Sequence, residues 1–510
     1  MIDTVERDDM SAASGLGYPA QVMEEARFRS FLQAYPSYRD THVLDELRAT
    51  DYARLDRLNH VYLDFTGGGL HADRQLRKHQ ELLDDHIFGN PHSHNPSSLA
   101  MTALVEQARA YVLEFFNASP DEYEAIFTLN ASGALKLVGE AYPFGPGGHY
   151  ALTFDNHNSV NGIREFARAK GAQVTYLPIT VPDLRLDEPA LEAALNLERS
   201  NAPRLFAYPA QSNYSGVQHP PELVEMAHSR GWDVLVDCAA FAPTNRLDLS
   251  RWKPDFVPLS FYKMFGYPTG VGALIVRRSA LARLKRPWYA GGTITIASVQ
   301  GNGHYLAEGA AGFEDGTVSY LNLPAVEIGL RYLAEIGMER IHQRVLCLSA
   351  WLMEQLIALR HDNGRPLVRV QGPTNLEARG GTITLTLLDI HGTPFDEARI
   401  EALAGAANIS LRTGCFCNPG AGEVAHGLTP EIMAEFFRHE RGMCFAELRE
   451  TMERLFGKTI NAVRISVGSV SNFADVSRFL EFARTFLNRS TAEVGKSDRE
   501  TEQCRPDAGA

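Results

Sequence analysis

The sequence predicts an α/β fold in which a large, mainly parallel sheet is joined to a smaller α+β lobe. Three observations lead to this prediction. Short apolar segments alternate with helix-like segments as far as about residue 280, a pattern typical of βαβ units. Polar residues directly follow several of these segments, at the strand ends where parallel sheets bind ligands. From about Pro324 onward, a long helical stretch and alternating strands replace this pattern.

The predicted strands of the large sheet share an apolar, β-branched or aromatic composition. They are Glu124–Leu129, Tyr150–Phe154, Gln173–Leu177, Arg204–Tyr208, Asp233–Val236, Phe256–Leu259 and Gly272–Val276. A helix over Ala131–Tyr142 follows the first strand, because its apolar residues recur at helical spacing. The elements predicted for the smaller lobe are a helical stretch over Val326–Leu359, strands at Thr382–Leu387 and Ala462–Val467, and a helix around 475–487.

We expect five segments along the 510 residues. Residues 1–25 are polar and rich in small residues, which predicts a flexible N-terminus, and residues 488–510 predict a disordered tail. Residues 26–60 predict a helical segment that packs on the small lobe. The large domain is expected over 61–325 and the small domain over 326–487. Within the small domain, residues 421–460 are rich in Glu, Arg and His and predict a helical insertion.

The composition is that of an ordinary globular protein, with 45% hydrophobic and 22% charged residues. Lys and Arg number 49 against 62 Asp and Glu, and the net charge of −13 disfavours nucleic acid and anionic lipid as partners. Six cysteines are too few for a disulfide framework and indicate a reducing compartment. We find neither a signal peptide nor a long apolar segment, and we expect a cytoplasmic protein that does not span a membrane.

Lys263 stands out because the chain has only eight lysines. It directly follows the Phe256–Leu259 strand in an aromatic turn, where desolvation would lower its pKa and make its amine a better nucleophile. From position alone, a lysine that extends its ammonium to solvent is the more common interpretation. Asp237 ends the preceding strand, and a buried carboxylate there needs a cationic partner. Pyridoxal phosphate (PLP) chemistry requires this pair: a lysine forms the Schiff base, and an aspartate keeps the pyridine nitrogen protonated.

Other strand ends carry residues that suit a PLP site. The helix after the first strand begins with a capping Asn, and Ser132 and Gly133 there suit a phosphate at a helix N-terminus. An ordinary helix cap is an equal alternative. His157 is placed to stack on the ring and Asn213 to hydrogen-bond the phenolic oxygen, although a loop histidine and a turn asparagine are the plain alternatives. The recurrence of such residues after five successive strands favours a cofactor site.

Motifs spread in order over residues 60–485 resemble the class V branch of fold-type I PLP-dependent transferases. Within that branch they resemble cysteine desulfurases, and most closely the N-terminal desulfurase domain of molybdenum cofactor sulfurases. The motifs are Tyr62–Asp64, Phe88–Ser93, Tyr208–Gly216, Ser260–Gly266, Gly291–Thr293, Phe313–Thr317, Leu411–Asn418 and Val463–Ser466.

The resemblance implies PLP as the cofactor and assigns roles to the site residues. Lys263 would carry the Schiff base, Asp237 would pair with the pyridine nitrogen and His157 would stack on the ring. The implied cofactor-binding residues are Ser132, Gly133, His157, Asn213, Asp237, Ser260, Lys263 and, reaching the phosphate of a neighbouring subunit, Thr317. A homodimer with sites at its interface is therefore expected, and no metal is expected.

For the substrate, the resemblance implies an arginine clamp. Arg464 would bind the substrate carboxylate through two hydrogen bonds, with Arg412 as a helper. Asn90 and His92 are further substrate-binding candidates. The expected partners are L-cysteine or a related amino acid and a sulfur acceptor, either a protein or a small molecule.

Cys417, two residues after Cys415, matches the cysteine that receives sulfur in the desulfurases. The reaction needs a thiolate on a mobile loop, because the thiolate attacks the sulfur of cysteine and leaves alanine and a persulfide. Arg412 and the flanking Gly and Pro residues suit such a loop. Other interpretations are a redox pair, buried inert thiols or a metal site, although two thiolates without a nearby His or Cys make a poor site. Cys415 is expected to be auxiliary or structural.

The chain departs from many desulfurases in two residues: Ala240 stands where they have a glutamine and Tyr262 where they have a histidine, as in the sulfurases. The chain also leaves no room for the second, molybdenum cofactor-binding domain of the eukaryotic sulfurases, so we do not expect delivery of sulfur to that cofactor within one polypeptide.

Three functions stay open: a cysteine desulfurase, a class V aminotransferase or C–S lyase acting by β-elimination, and a PLP-binding scaffold without turnover. The Lys263 and Asp237 pair disfavours the scaffold.

Overall fold

A seven-stranded sheet organises the large domain in the computed structural model, which describes residues 18–197, 201–437, 451–452, 454 and 462–497. The strands are β1 (Val61–Tyr62), β2 (Tyr123–Thr128), β3 (His149–Thr153), β4 (Gln173–Leu177), β5 (Ile179–Thr180), β6 (Arg185–Leu186), β7 (Arg204–Pro209), β8 (Asp233–Asp237), β9 (Phe256–Ser260), β10 (Gly272–Arg277), β11 (Ile294–Ser298), β12 (Gly303–Leu306), β13 (Val368–Gln371), β14 (Thr382–Leu387), β15 (Ile409–Ser410), β16 (Arg412–Gly414) and β17 (Ala462–Ser466).

The helices lie between these strands and at both ends of the described chain. They are α1 (Tyr18–Ala34), α2 (Val43–Thr50), α3 (Arg54–Arg57), α4 (Asp73–Asp84), α5 (Pro96–Phe115), α6 (Ala131–Ala141), α7 (Asn158–Asn161), α8 (Ile163–Ala169), α9 (Glu188–Leu195), α10 (Glu222–Ser229), α11 (Leu249–Trp252), α12 (Phe261–Phe265), α13 (Arg278–Leu281), α14 (Leu323–Ile336), α15 (Met338–Ala358), α16 (Glu397–Ala406), α17 (Pro419–Ala425), α18 (Pro430–Phe436), α19 (Phe473–Arg484) and α20 (Thr491–Val494). Two 3₁₀ helices cover Pro36–Thr41 and Gly309–Phe313.

The strand order in the large sheet is β2-β10-β9-β8-β7-β3-β4. β10 is antiparallel to both of its neighbours, and the other paired strands are parallel, so six strands run in the same direction. The predicted α/β fold with a mainly parallel sheet is confirmed, and each predicted strand of this sheet lies within one residue of its observed bounds. The carboxyl ends of the six strands therefore meet at one edge.

Apolar cores cover both faces of the sheet. One core contains residues of α5 and α14, and the other contains residues of α6 and α8. Strands β3 and β9 bury every one of their residues, which explains their nearly continuous apolar sequences. The helices thus hold the strand ends rigidly in place for the residues that follow them.

The small lobe contains a four-stranded antiparallel sheet in the order β13-β14-β17-β16. The predicted strands β14 and β17 are present, and the predicted C-terminal helix is α19, which begins earlier because Asn472 caps it. The helical stretch predicted over Val326–Leu359 is two helices instead of one. It breaks at Gly337, whose φ of +89° is a conformation that glycine adopts without strain.

Helices α1 and α2 contact the small lobe. The buried Arg344 of α15 binds both oxygens of Asp45 at 2.7 Å, and Arg48 binds Asp475 of α19 at 2.5 Å. Aromatic packing of Phe31 on Phe473, with ring centroids 4.9 Å apart, adds apolar contact to these ion pairs.

The structure corrects the predictions made for the two ends of the chain. Residues 18–25, predicted to be flexible, continue α1, since a helix anchored at Phe31 propagates towards its N-terminus at little cost. Residues 488–497, predicted to be disordered, include α20, which Ser490 caps and which the buried Val494 attaches to the core. Residues 1–17 and 498–510 lie outside the described residues.

The insertion predicted over 421–460 is described only in part. It begins with the short helices α17 and α18, while residues 438–450, 453 and 455–461 lie outside the described residues. Among the helices of the described chain, none combines the length and the apolar character that crossing a membrane requires.

Candidate active site

A cavity of about 140 Å³ opens at the carboxyl edge of the large sheet. Residues that follow five different strands line it, because the carboxyl ends of parallel strands share one edge. Among the predicted site residues, those that line the cavity are Ser132, His157, Asn213, Asp237, Ser260 and Lys263. The fold therefore brings together residues that are up to 131 positions apart in the sequence.

Lys263 and Asp237 carry the opposite charges of this cavity. Lys263 lies on α12, directly after β9, and burial lowers the pKa of its amine, against the opposing effect of the Asp237 carboxylate. Asp237 is 7% exposed at the end of β8, and its Oδ1 accepts a hydrogen bond from the amide of Ala239 at 2.9 Å. Gly266 ends α12 with a φ of +76°, and a Cβ there would lie 2.3 Å from the backbone nitrogen of His71.

The N-terminus of α6 offers an anion site at the same cavity. Asn130 caps this helix, and the Ser260 hydroxyl accepts a hydrogen bond from the amide of Ala131 at 2.9 Å. The hydroxyls of Ser132 and Ser159 lie 2.5 Å apart, and both residues line the cavity. Hydroxyls beside a helix N-terminus suit a phosphate group. The sequence prediction missed Ser159, although it follows His157 by only two residues.

Gly133 is not among the residues that line the Lys263 cavity, and its predicted role at the phosphate stays a prediction. Its amide donates to Oδ1 of Asn130 at 3.0 Å, so this hydrogen-bond donor completes the helix cap instead of facing the cavity. Gly133 lines a second depression of about 250 Å³ on the other side of the helix start, together with Thr317.

His157 enters the cavity as a neutral imidazole. Burial lowers its pKa, and the nearby charge of Asp237 opposes this effect. Its Nδ1 accepts a hydrogen bond from the amide of Ser159 at 3.1 Å, so the proton of the neutral ring sits on Nε2. The ring is thus held by its own helix cap at the start of α7.

Asn213 contacts the Cys loop, by which we mean residues 415–418. Its Nδ2 donates to the carbonyl oxygen of Phe416 at 2.7 Å, and its Oδ1 accepts from Nδ2 of Asn418 at 2.9 Å. The amide of Asn213 thus holds this loop, and its hydrogen bond to a phenolic oxygen stays a prediction.

Two further hydrogen bonds attach the Cys loop to the segment after β3. The amide of Asn158 donates to the carbonyl oxygen of Cys417 at 2.7 Å, and Asn418 Nδ2 donates to that of Asp155 at 2.7 Å. Phe416 is 8% exposed in a small apolar cluster with Tyr214. The backbone is therefore anchored on both sides of the thiol, and the mobility expected of this loop stays a prediction.

Cys417 is exposed, and Cys415 is partly buried. Phe416 and Cys417 both adopt positive φ angles, +57° and +56°, a conformation that costs a residue with a side chain about 1 kcal/mol or more. Burial raises the pKa of Cys415, which suits a structural role better than a nucleophilic one.

Arg464 and Arg412 are cross-strand partners on β17 and β16. Arg464 is 3% exposed, and burial lowers its pKa although Asp64 opposes this effect. Asp64 binds Arg464 at 3.0 Å and Arg412 at 2.6 Å. The sequence showed Asp64 only as part of a motif and did not predict this contact, because no local pattern reveals a pairing over about 400 residues.

Asn90, His92 and Thr317 lie away from the Lys263 cavity in a single chain. Asn90 Nδ2 donates to the Thr317 hydroxyl at 3.4 Å, and His92 lies beside Gly292. None of the three is among the residues that line this cavity, and their contacts with substrate or phosphate stay predictions. In the part of the chain that the structure describes, no cluster of His, Cys, Asp and Glu is arranged to hold a metal ion.

A mainly parallel sheet with a lysine, an aspartate and an anion site at its carboxyl edge defines the architecture of a fold-type I PLP-dependent enzyme. The model of the aminotransferase class-V family matches residues 61–479, and the chain belongs to this family of PLP-dependent enzymes.

Individual proteins agree with this assignment. The chain is 36% identical over 499 residues to a molybdenum cofactor sulfurase of Solanum lycopersicum, covering 90% of this chain and 60% of that protein. It is 36% identical over 463 residues to the Homo sapiens protein of the same name, covering 86% and 51%. The chain thus spans little more than half the length of these relatives. A cysteine desulfurase from Thermococcus onnurineus shares the fold, with a TM-score of 0.70 at 23% identity over 87% of this chain and 98% of that one.

Proposed function

We propose that this protein is a PLP-dependent cysteine desulfurase that converts L-cysteine to L-alanine and carries the released sulfur as a persulfide on Cys417. The observation that carries the proposal is the placement of Cys417 on a loop that hydrogen bonds from Asn158 and Asn213 attach to the segments lining the Lys263 cavity. The names of the sulfurase relatives and of the desulfurase with the same fold support it.

The cavity fits PLP on its own chemistry. The hydroxyls of Ser132, Ser159 and Ser260 beside the N-terminus of α6 suit the phosphate, and Asp237 suits a protonated ring nitrogen. Lys263, whose pKa burial lowers, is the amine that would hold the aldehyde carbon. When bound, the cofactor withdraws electrons from the substrate and so weakens the bonds at its α-carbon.

The protein residues then have distinct tasks. Arg464 binds the substrate carboxylate, and the uncharged His157 stacks on the ring without adding charge. Lys263 accepts and returns a proton at the substrate carbon, since burial lowers its pKa towards the pH at which the enzyme works. The Cys417 thiolate attacks the substrate sulfur: an S–S bond forms, the C–S bond breaks, and the electron pair stays on the carbon that becomes the methyl group of alanine.

The quaternary structure forms part of the proposal. Asn90, His92 and Thr317 lie together but away from the Lys263 cavity of their own chain, and a homodimer would allow them to complete the cavity of the partner. Light scattering of the purified protein tests this, and a monomer that is fully active would contradict it. A cytoplasmic location belongs to the same proposal, because Cys417 must stay reduced to act.

The enzymatic test follows sulfide and alanine from L-cysteine, with PLP and a thiol reductant, in the wild type and two cysteine variants. Cys417→Ala should lose sulfide release by about 100-fold or more while keeping the visible absorption of the bound cofactor. Cys415→Ala is the matched control and should stay within about threefold of the wild type, because its thiol is partly buried with a raised pKa.

Three results would overturn the proposal. Undiminished sulfide from Cys417→Ala would exclude this thiol as the acceptor, and pyruvate in place of alanine would identify a C–S lyase. Transfer of the amino group to an added 2-oxo acid, without sulfide, would identify an aminotransferase.

A further inference from the structure

Two turns at the carboxyl edge of the large sheet hold the Cys loop. We call residues 154–158, which follow β3, the β3 turn, and residues 210–219, which follow β7, the β7 turn. Both turns bind Asn418, whose Nδ2 donates to the carbonyl oxygen of Asp155 at 2.7 Å and to Oδ1 of Asn213 at 2.9 Å. The position of the Cys loop therefore depends on how the two turns are placed relative to each other.

A buried histidine–aspartate pair joins the two turns. Nε2 of His219 donates to Oδ2 of Asp155 at 2.9 Å, because a carboxylate oxygen can only accept. The Thr153 hydroxyl donates to Oδ1 of the same carboxylate at 2.7 Å, and the amide of His219 donates to the carbonyl oxygen of Ala210 at 3.1 Å. Each member of the pair is thus held by its own turn or strand as well as by its partner.

Neither member of the pair contacts a ligand in the Lys263 cavity. The side chain of Asp155 is fully buried, that of His219 is 2% exposed, and neither residue lines the cavity. A buried ionisable pair adds little stability compared with apolar residues, since both groups lose their water. It does fix the distance and the direction between the segments that carry its members, and that is the task the geometry leaves to it here.

We propose that His219 is a positioning residue for sulfur transfer, which acts through Asp155 on the loop that carries Cys417. Without the imidazole, the β3 turn loses its attachment to the β7 turn, and the two acceptors of Asn418 are no longer held at a fixed separation. The amide of Asn158, in the β3 turn, donates to the carbonyl oxygen of Cys417 at 2.7 Å, so the backbone at the thiol follows this turn. The inference rests on the proposed function and goes beyond it by naming the residue that places the thiol.

The first test is hydrogen exchange of the holoenzyme, measured by mass spectrometry on peptides that cover residues 155–158 and 415–418. His219→Leu removes the donor to Asp155, and we expect exchange of these peptides to become about tenfold faster while β14 exchanges as in the wild type. His219→Gln can still donate from its side-chain amide, and its exchange should stay within about twofold of the wild type. A purely structural role would instead accelerate exchange throughout the protein.

The second test separates binding from turnover with L-cysteine as the substrate. In His219→Leu, kcat for alanine formation should fall about tenfold, because attack on the substrate sulfur depends on where the thiol lies. The KM should stay within about threefold, since His219 does not line the cavity. His219→Gln should recover most of the lost kcat.

His228→Leu is the matched control. Nε2 of His228 also donates to a buried aspartate, Oδ2 of Asp255, at 2.7 Å. Asp255 directly precedes β9, so this pair lies at the opposite, amino edge of the sheet. His228→Leu should leave both the exchange at 415–418 and kcat unchanged, and a change like that of His219→Leu would count against the proposal.

The proposal fails if His219→Leu exchanges like the wild type at 415–418, if its exchange accelerates equally everywhere, or if His219→Gln restores nothing. Thr153→Val decides if His219→Leu does not fold, because it keeps the shape of the side chain and removes the other hydrogen bond to the Asp155 carboxylate. Exchange at 415–418 should then be about threefold faster, and wild-type exchange there would refute the inference. Because exchange needs no substrate, an absence of sulfide release would refute the proposed function and leave this test intact.

Discussion

The side-chain amide of Asn213 donates a hydrogen bond to the carbonyl oxygen of Phe416 at 2.7 Å. This contact joins the segment after β7, which lines the cavity, to the loop that carries Cys417. Asn418 completes the connection by donating to Asn213 and to Asp155. The position of the thiol is therefore determined by the large sheet as well as by the small lobe.

Asn213→Ala should release the Cys loop from the cavity wall. The variant loses its hydrogen bonds to Phe416 and Asn418, and each buried hydrogen bond contributes about 1 kcal/mol. We expect alanine formation from L-cysteine to fall about tenfold, and alkylation of Cys417 by iodoacetamide to become faster, because the loop on both sides of the exposed thiol loses a hydrogen bond. Mass spectrometry of the alkylated peptide measures the second effect.

Asn363→Ala serves as the control for this variant. Asn363 is an exposed residue whose Nδ2 also donates to a backbone carbonyl, that of Ile390, at 2.7 Å. Its replacement should leave both rates unchanged. Equal alkylation rates in Asn213→Ala and the wild type would show that the loop does not depend on Asn213.

Gly420→Ala should destabilise the protein at the Cys loop. A Cβ at Gly420, in the first turn of α17, would lie 2.0 Å from the carbonyl oxygen of Phe154, and backbone atoms cannot easily move away. We expect the free energy of unfolding to fall by about 2 kcal/mol or more, measured by urea denaturation. A Cβ at Gly405 in α16 would have no atom within 4 Å, so Gly405→Ala should instead raise the free energy of unfolding by about 0.5–1 kcal/mol. Equal effects of the two substitutions would contradict the close packing of α17 against Phe154.

Stability should fall as the solution is acidified from about pH 7.5 to 5.5. Burial lowers the pKa of His71, His149, His157 and His342 in the folded protein. Below about pH 6.5, the unfolded chain therefore binds protons that the folded protein does not bind. The free energy of unfolding then falls by no more than about 1.4 kcal/mol per pH unit for each histidine. The stability that these four histidines contribute is fully present above their pKa in the unfolded chain. It is lost as the pH falls towards their lower pKa values in the folded protein. Buried carboxyls with raised pKa values, such as Asp475, act in the opposite direction.

Urea denaturation of His149→Gln at several pH values isolates one of these contributions. Glutamine can replace the hydrogen bond that His149 Nε2 forms with the Thr175 hydroxyl at 2.8 Å, but it does not titrate. The free energy of unfolding should depend less steeply on pH in this variant. A slope identical to that of the wild type would show that His149 titrates normally in the folded protein.

Asp237→Asn should impair the use of PLP. The amide keeps the size of the side chain but removes the charge that holds the ring nitrogen protonated, so we expect alanine formation to fall about 100-fold or more. The visible spectrum of the bound cofactor should change as well. Asp187→Asn is the control, since Asp187 only caps α9 and asparagine caps a helix equally well. Wild-type activity of Asp237→Asn would contradict the proposed pairing of Asp237 with the ring nitrogen of PLP.

Much of the site could be predicted because the sheet is parallel. The strand ends near Ser132, His157, Asp237 and Lys263 can be recognised from the sequence. Parallel topology then brings these four residues together at one edge of the sheet. Each of these residues lies within a few positions of a strand end, so local sequence carried the information. The same reasoning identified strands β14 and β17 of the small lobe from their alternating apolar residues.

Contacts between distant segments could not be predicted in this way. Asp64 meets Arg464 across 400 positions, and Asn213 meets Phe416 across 203. Nothing in the sequence near Asp64 distinguishes a carboxylate that binds two arginines from one that faces solvent. The break at Gly337 was missed for the opposite reason, because apolar periodicity continues on both sides of it and conceals the turn.

The buried ring of Phe416 has a consequence for any molecule that receives sulfur from this protein. Phe416 is buried in an apolar cluster and Asn418 is hydrogen-bonded to two segments of the large domain, so both neighbours of Cys417 are anchored. Under the proposed function, the sulfur acceptor has to approach Cys417, because hydrogen bonds anchor the loop that carries the thiol. Its reactive group must reach an exposed thiol on an anchored loop, so the surroundings of Cys417 select which molecules can accept the sulfur.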